Sequence, residues 1–277
     1  MKIWRSHNSE DKLATDDKTI ADFGEQWTRY VDNSGFYGST DLLADYIEPL
    51  FPVQNLVGLK IGDIGSGSGR IVRMLLEAGA AHVVAVEPSD AFDVLKSNTA
   101  DRSNDVTLIH GTGDQLKVET PLDLVVSLGV LHHIVDPAST VRAARAALGP
   151  GGKMLVWLYG KEGNEAYLAI AEPIRIITKN LPHWALSAIC YLADAILRAY
   201  IGLCRLFPLP MRGYLQGVYG KLAPDKRRLV IYDQLNPAYA KYYTEAEAIA
   251  LLEANGFKDV QTHWRHGYSW TVIGDAP

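Results

Sequence analysis

The residues with the clearest chemical potential form a glycine-rich loop, IGDIGSGSGR, at positions 61–70. Gly65, Gly67 and Gly69 allow the backbone to pass close to a ligand, and a helix that begins after the loop would offer free N–H groups to an anion. Asp63 precedes the first of these glycines, where a carboxylate would repel a pyrophosphate and attract an ammonium group. The loop therefore predicts a site for a ligand that carries both signs of charge.

A second acid follows at the spacing that a nucleoside ligand requires. Glu87 ends the next apolar run, 22 residues after Gly65, where a carboxylate can bind both hydroxyls of a ribose. The dinucleotide fingerprint places its third glycine three residues after the second, and Arg70 stands there. The spacing therefore disfavours a nicotinamide cofactor, although an NAD(P)-dependent oxidoreductase remains the alternative enzyme class.

Candidate catalytic residues lie in two further places. His132 and His133 follow the fourth predicted strand, at the sheet edge where ligands of open α/β folds bind. Either imidazole could act as a base, because it titrates near neutrality, or could cap the next segment. Tyr239 and Tyr243 lie in a tyrosine-rich segment before the last helix, and we expect them either to wall a substrate pocket or to pin neighbouring helices to the core.

The elements that must position these residues alternate regularly from 59 to 159. Short β-rich runs are separated by helical stretches of 8–12 residues, which predicts βαβ units in a doubly wound, mostly parallel sheet. The alternation of strands and helices stops at Gly160, where a mostly helical insertion begins. The alternation resumes after Thr244 with a helix and two strands. We therefore predict an α/β core with N-terminal helices and a helical insertion after the fifth strand.

Five segments of this core resemble the class I S-adenosylmethionine (SAM)-dependent methyltransferases. They are DIGSGSG at 63–69, the acid of VAVEPSD at Glu87, GTGDQL at 111–116, LVVSLGVLHHIVDP at 124–137 and LGPGGKMLVW at 148–157, and they run in the family's order. The resemblance implies a Rossmann-like seven-stranded sheet with its last strand antiparallel, and S-adenosyl-L-methionine as cofactor. It also implies methyl transfer to an O, C or N atom of a small molecule.

The resemblance also assigns roles to residues. Asp63 and the loop glycines would hold the amino-acid end of SAM, and Glu87 its ribose. Many relatives carry an acid where Thr112 stands, so Asp114 or the Gly113 N–H would contact the adenine instead. The remaining residues assigned to the cofactor site are Pro88, Ser127, Trp27 and Tyr30. The last two belong to an aromatic helix face, FGEQWTRY, expected to cover the methionine end of SAM or to pack on the core.

Composition limits the alternatives. The chain has 277 residues, is 48% hydrophobic and carries a net charge of −5, so it can bury a core and is not expected to bind nucleic acid. We predict an N-terminal segment (1–52) with a solvated tail up to about residue 17 followed by lid helices, then a SAM-binding core (53–160), a helical acceptor cap (161–230) and the rest of the core sheet (231–277). Segment 175–230 alone carries +7, and the rest −12.

The insertion offers the chief alternatives for partners. Asp194, Arg198, Arg205 and Arg212 are spaced to form a polar stripe on an otherwise apolar helix, with Pro208 and Pro210 expected to end it. Its apolar face would pack internally, line a pocket for a lipophilic or phosphate-bearing acceptor, or bring segment 184–212 to the inner membrane surface of a cytoplasmic protein. A non-catalytic SAM-binding or membrane-associated module is the remaining alternative.

Overall fold

A computed structural model of the chain describes residues 9–178 and 181–277. Its strands form one seven-stranded sheet in the order β3-β2-β1-β4-β5-β7-β6. Their bounds are β1 Lys60–Ile64, β2 His82–Glu87, β3 Val106–His110, β4 Leu122–Leu128, β5 Leu148–Tyr159, β6 Lys258–Arg265 and β7 Ser269–Asp275. Strands β1 to β5 are parallel, and β7 is antiparallel to both β5 and β6. The predicted fold class is confirmed.

Ten helices surround this sheet in the described part of the chain. Their bounds are α1 Ser9–Arg29, α2 Thr40–Ile47, α3 Arg70–Glu77, α4 Ala91–Asn98, α5 Ala138–Ala147, α6 Glu165–Thr178, α7 His183–Leu206, α8 Arg212–Gly217, α9 Pro224–Leu235 and α10 Glu245–Glu253. Alternate strand residues enter two separate cores, with Val83 in one and Val84 in the other. Because both faces are covered, the inner strands are almost continuously apolar.

The N-terminal prediction needs one correction. We expected residues up to about 17 to form a solvated tail, but α1 already begins at Ser9, and positions 1–8 lie outside the described residues. Contacts along α1 explain the difference: the Asp16 carboxylate accepts a hydrogen bond from Val135 N at 2.9 Å, and Asp22 accepts one from Ala238 N at 3.2 Å. These bonds tie the polar start of α1 to the sheet edge.

The insertion comprises α6 to α9, between β5 and β6. The polar stripe predicted for it extends only along α7, where Arg198 lies 3.5 Å from Asp194. Asp194 is buried and pairs with Arg227 of α9 at 2.7 Å, whereas Arg198 is 60% exposed. Helix α7 ends at Leu206, before Pro208 as expected, so Arg212 belongs to another helix. A buried ion pair thus joins α7 to α9. Arg175 and Lys226 are also buried, whereas Arg198, Arg205 and Arg212 are exposed.

Candidate active site

A cavity of about 440 Å³ runs along the carboxyl edge of the parallel strands, under α1, α8 and α9. We call one part of it the cofactor half, formed by the glycine loop, Glu87, Pro88, the turn 112–114 and 128–130. The other part is the acceptor half, formed by residues of the 35–38 turn, α2, the start of α3, β5, the insertion, the end of β6 and the β6–β7 turn. The residues that line the acceptor half are Tyr37, Tyr46, Arg70, Trp157, Tyr159, Tyr214, Val218, Leu222, Leu229, Asp233, Gln234, Arg265 and Tyr268.

Backbone geometry explains the glycines of the loop. Gly65, Gly67 and Gly69 all have positive φ angles, of 77°, 52° and 83°, a region that other residues enter at a cost. A Cβ at Gly65 would lie 2.5 Å from a Val130 methyl group, and one at Gly67 would lie 3.2 Å from the Trp27 indole nitrogen. The loop is therefore held between two side chains, and its backbone forms the floor of the cofactor half.

Asp63 lies at the end of β1, directly beneath this loop. Its carboxylate is buried, and Oδ2 has no hydrogen-bond partner among the described residues. Burial raises the pKa of Asp63 to about 7, against the lowering influence of Ser66 and Arg70. A buried carboxylate without a partner lowers the stability of the folded protein unless a ligand donates hydrogen bonds or supplies a positive charge to it. The ammonium group of SAM supplies the charge and the N–H donors that this oxygen lacks.

Glu87 is held rigidly at the end of β2. Its Oε2 accepts a hydrogen bond from Gly67 N at 2.7 Å, and its Oε1 accepts bonds from Ser89 N at 3.0 Å and Ser89 Oγ at 2.5 Å. A carboxylate offers about four acceptor positions, so these bonds leave capacity for ribose hydroxyls. Glu87 and Pro88 both line the cavity, where the predicted ribose site would lie.

The turn after β3 lines the same half of the cavity. The Thr112 hydroxyl donates to Asp114 Oδ1 at 2.5 Å, and Thr112 N donates to Gln115 Oε1 at 2.9 Å. A Cβ at Gly113 would lie 2.5 Å from the Thr140 methyl group, so only glycine fits. Thr112, Gly113 and Asp114 all line the cavity, so both predicted adenine contacts, Asp114 and the Gly113 N–H, stay predictions.

The structure separates the two histidines. His133 lines the cavity, its Nδ1 lies 2.8 Å from the Tyr239 carbonyl oxygen, and its Nε2 has no protein partner. His132 is fully buried outside the cavity wall, with its ring centroid 3.8 Å from that of Tyr159. Burial lowers the pKa of both imidazoles, that of His133 to about 4. The structure does not support a role for His132 as the base, because no ligand in the cavity can reach it.

Other predicted site residues also lie away from the cavity. Tyr239 contributes only its carbonyl oxygen, to His133, and Tyr243 is buried in the core beside β5. Tyr30 packs against Tyr232, with ring centroids 6.0 Å apart. Ser127 is buried, and its hydroxyl donates to the Ile64 carbonyl oxygen at 3.4 Å. Phe23 and Trp27 of α1 do line the cavity.

The acceptor half was largely missed by the sequence analysis. Its wall is a cluster of aromatic rings: Tyr46 lies 5.4 Å from Trp157 between centroids, and Tyr214 lies 4.6 Å from Tyr268. These rings come from α2, β5, α8 and the β6–β7 turn. No local spacing relates such distant segments, so no sequence motif could have revealed them. Asp233 of α9 also belongs to this wall.

Comparisons with known proteins agree with this geometry. A family model described as a methyltransferase domain matches residues 63–154, the segment that contains the glycine loop, Glu87, the 112–114 turn and both histidines. The matched core, its sheet and its cofactor site together define a class I SAM-dependent methyltransferase. Its cofactor is S-adenosyl-L-methionine.

The relatives differ in the molecules on which they act. The chain is 27% identical to a ubiquinone biosynthesis O-methyltransferase of Saccharophagus degradans over 62% of this chain and 73% of that protein. It is 33% identical to a tRNA U34 carboxymethyltransferase of Pseudoalteromonas translucida, over 45% of this chain and 38% of that protein. An O-methyltransferase family protein of Burkholderia thailandensis has a similar fold, with a TM-score of 0.52 and 10% identity over 97% of this chain and 60% of that protein.

Proposed function

We propose that this protein transfers the methyl group of SAM to a hydroxyl oxygen of a small aromatic molecule. One observation carries the proposal: His133 lines the cavity, and its buried Nε2 has no hydrogen-bond partner among the described residues. Its ring lies 4.8 Å from that of Phe23 and 5.6 Å from that of Tyr159, between centroids. A base at this position is what an O–H acceptor requires and what an already deprotonated nucleophile would not need.

The tautomer of His133 follows from its surroundings. The Tyr239 carbonyl oxygen can only accept a hydrogen bond, so Nδ1 carries the proton and donates it. The lowered pKa of His133 keeps the ring neutral near pH 7. Nε2 is therefore the unprotonated, accepting nitrogen, and the orientation of the ring is fixed by the backbone carbonyl of residue 239.

SAM supplies a methyl group bonded to a positive sulfur, so the donor is already activated and the protein mainly has to align it. The acceptor oxygen forms a bond to the methyl carbon while the carbon–sulfur bond breaks and its electron pair stays on sulfur. A methylated hydroxyl is a far stronger acid than the hydroxyl itself. His133 can therefore accept the proton late in the reaction, even though its own pKa is low.

The chemical class of the acceptor is inferred from the opposite wall. Tyr46, Trp157, Tyr214 and Tyr268 provide flat apolar surfaces with few polar tips, which suits a planar, lipophilic molecule. The O-methyltransferase named among the relatives supports transfer to oxygen. A nucleic-acid acceptor is disfavoured, because the cavity is narrow and the residues around it include few cations.

Activity assays with purified protein test the proposal. We expect methyl transfer from radiolabelled SAM to members of a panel of phenols and catechols. His133→Gln should lower kcat about 100-fold or more and leave the Kd of SAM within about twofold, because the proposed role of His133 is toward the acceptor proton. His82→Gln, at the far end of β2, is the matched control and should keep full activity. Equal activity of the His133 variant and the control would contradict the proposal.

We also propose that the outer face of the insertion contacts a membrane surface. By length and composition α7 could span a membrane, and only 22% of its apolar window is buried. One face packs inward through Leu186, Cys190 and Cys204. The side chains exposed on the opposite surface include Ile176, Ile177, Trp184, Leu192, Ile196, Leu206 and Phe207, each more than half exposed. Such a continuous apolar patch is unusual on a soluble surface.

The charge of this surface indicates what kind of partner it would contact. Arg198 and Arg205 of α7 are exposed beside the apolar patch. An anionic lipid surface is complementary to both features, whereas a second copy of this surface would place its positive charges together. The buried Asp194–Arg227 pair holds α7 on the protein, so we propose that the helix lies on the membrane instead of crossing it.

Vesicle sedimentation tests the membrane contact. We expect binding to vesicles that contain phosphatidylglycerol and much weaker binding to phosphatidylcholine alone. Leu192→Glu combined with Ile196→Glu should lower the bound fraction at least fivefold, by adding charge to the apolar patch. Val57→Glu changes an equally exposed apolar residue elsewhere (66% exposed) and is the control. Unchanged vesicle binding of the double variant would contradict the proposal. So would a wild-type protein that forms a dimer through this surface, loses the dimer in the double variant and binds no vesicles.

A further inference from the structure

We infer that Arg70 forms a carboxylate-binding subsite in the acceptor half of the cavity, and hence that the acceptor is an aromatic acid. The inference rests on the proposed function only in placing the acceptor in that half. Arg70 is the first residue of α3, directly after the glycine loop, and it lines the cavity. No role was assigned to it from the sequence beyond its effect on the glycine spacing.

The contacts of Arg70 hold its guanidinium group without neutralising it. Nη1 donates to the Tyr37 carbonyl oxygen at 3.2 Å. The guanidinium carbon lies 4.4 Å from the ring centroid of Tyr37 and 5.7 Å from that of Tyr46. Within the described part of the chain, no carboxylate lies at ion-pair distance from it. The group is therefore a half-buried, positioned cation. Asp63 and Asp233 attract it only from beyond ion-pair distance, and its remaining N–H donors are available to a ligand.

Arg265, on the same wall, shows the opposite arrangement. Its guanidinium carbon also stacks on Tyr46, at 4.7 Å from the ring centroid. However, its Nε donates to the Asp45 carbonyl oxygen at 2.7 Å, and its Nη2 forms an ion pair with the Asp45 carboxylate. Two arginines thus share one aromatic ring, and only one of them has a protein counterion. The difference marks Arg70 as the cation that serves a ligand.

The nearest acid of the acceptor wall is already engaged. Asp233 Oδ1 accepts a hydrogen bond from Gln26 Nε2 at 3.1 Å, and Oδ2 accepts one from the Tyr159 hydroxyl at 3.3 Å. Nor do the basic residues of the insertion supply the anion site that we expected of them. Arg198 pairs with Asp194 at the surface, and Arg205 lines a separate shallow groove.

The chemistry of the subsite defines the ligand. A guanidinium fork matches a carboxylate in geometry and charge better than it matches a neutral oxygen. The rings of Tyr37 and Tyr46, which hold Arg70, would border an aromatic scaffold that bears this carboxylate. One other source of the same chemistry exists, because the methionine part of SAM also ends in a carboxylate. The experiment therefore needs one arm for each source.

The first arm measures binding, not turnover, so its failure is distinct from failure of the proposed function. The probes are 3,4-dihydroxybenzoate and its carboxamide, titrated by calorimetry into protein saturated with S-adenosylhomocysteine. The wild type should prefer the acid about tenfold or more. Arg70→Gln should abolish this preference, Arg70→Lys should keep part of it, and Arg198→Gln, outside the cavity, should keep all of it. Equal affinity for acid and amide in the wild type, or an unchanged preference in Arg70→Gln, would overturn the inference.

The second arm compares SAM with decarboxylated SAM. If Arg70 binds the acceptor, Arg70→Gln should leave the affinities for both cofactors within about threefold of their wild-type values. If the variant weakens SAM binding about tenfold but not binding of the decarboxylated form, the subsite belongs to the cofactor, and the assignment to the acceptor is overturned. Melting temperatures of each variant show whether the protein is folded, and Arg70→Lys carries the comparison if Arg70→Gln is not.

Discussion

The two halves of the cavity are built in different ways. The cofactor half is formed by short turns that each follow one parallel strand: the loop after β1, Glu87 and Pro88 at the end of β2, and the 112–114 turn after β3. The acceptor half gathers side chains from α2, β5, the insertion and the β6–β7 turn. Adjacent parallel strands bring their carboxyl ends together in any sheet of this kind, whereas the acceptor wall depends on how the insertion packs.

Each half also keeps one charged side chain that has no oppositely charged group at ion-pair distance among the described residues. This side chain is Asp63 in the cofactor half and Arg70 in the acceptor half. Folding alone gains nothing from such charges. Their positions on opposite sides of the glycine loop show where ligands complete the structure, and they provide the means to perturb one half at a time.

The largest expected effect is on the cofactor half alone. Asp63→Asn removes the carboxylate that pairs with the SAM ammonium group and should raise the Kd of SAM about 100-fold. Calorimetric titration measures this change, with the exposed Glu77→Gln of α3 as control. An affinity within a few-fold of the wild-type value would show that the ammonium group binds elsewhere.

Acidification should act on the same contact. Because Asp63 has a pKa of about 7 without a ligand, a proton competes with the SAM ammonium group below that pH. The Kd of SAM should rise about tenfold per pH unit between pH 7 and pH 5. The groups that influence Asp63 are Ser66, Arg70 and Glu87. A pH-independent Kd in the wild type, or the same slope in Asp63→Asn, would contradict the assignment.

A change in the acceptor wall should leave the cofactor half intact. Tyr214→Ala removes a ring that stacks near Tyr268 and should raise the KM of a phenolic acceptor about tenfold. The Kd of SAM should stay within about twofold. Tyr191→Ala, on the exposed outer face of α7, is the control in steady-state kinetics. If the Kd of SAM changed as much as the KM, the two halves would not be separable.

The smallest expected effect is on stability. The pKa of Asp63 is raised by burial, so the folded state holds this proton more tightly than the unfolded chain does. The ligand-free protein therefore loses stability as the pH rises from about 4 to about 7. At pH 8, Asp63→Asn should raise the melting temperature by about 3 °C, and the gain should shrink at pH 5. A lower melting temperature at pH 8 would show that the carboxylate has a stabilising partner.

Particular residues show how far the sequence could predict this site. Gly65, Glu87 and Gly113 were identified from spacing or resemblance, and all three line the cavity. Of the adjacent histidines, only His133 does so. Two neighbouring residues in a tight turn point in different directions, and the sequence does not say which one faces the ligand. Tyr243 was likewise expected at the pocket, but the short β-bridge between residues 160 and 243 turns it into the core.

The sequence by itself determined the sheet, its order of strands and helices, and the turns that bind the cofactor. Those features depend on local periodicity and on glycines whose φ angles other residues avoid, so short segments of the chain are enough to determine them. Only the tertiary structure decided which histidine reaches the cavity, which arginine lacks a counterion, and which face of the insertion remains uncovered. Each of these depends on contacts between segments far apart in sequence, and burial and pairing exist only once those segments have packed together.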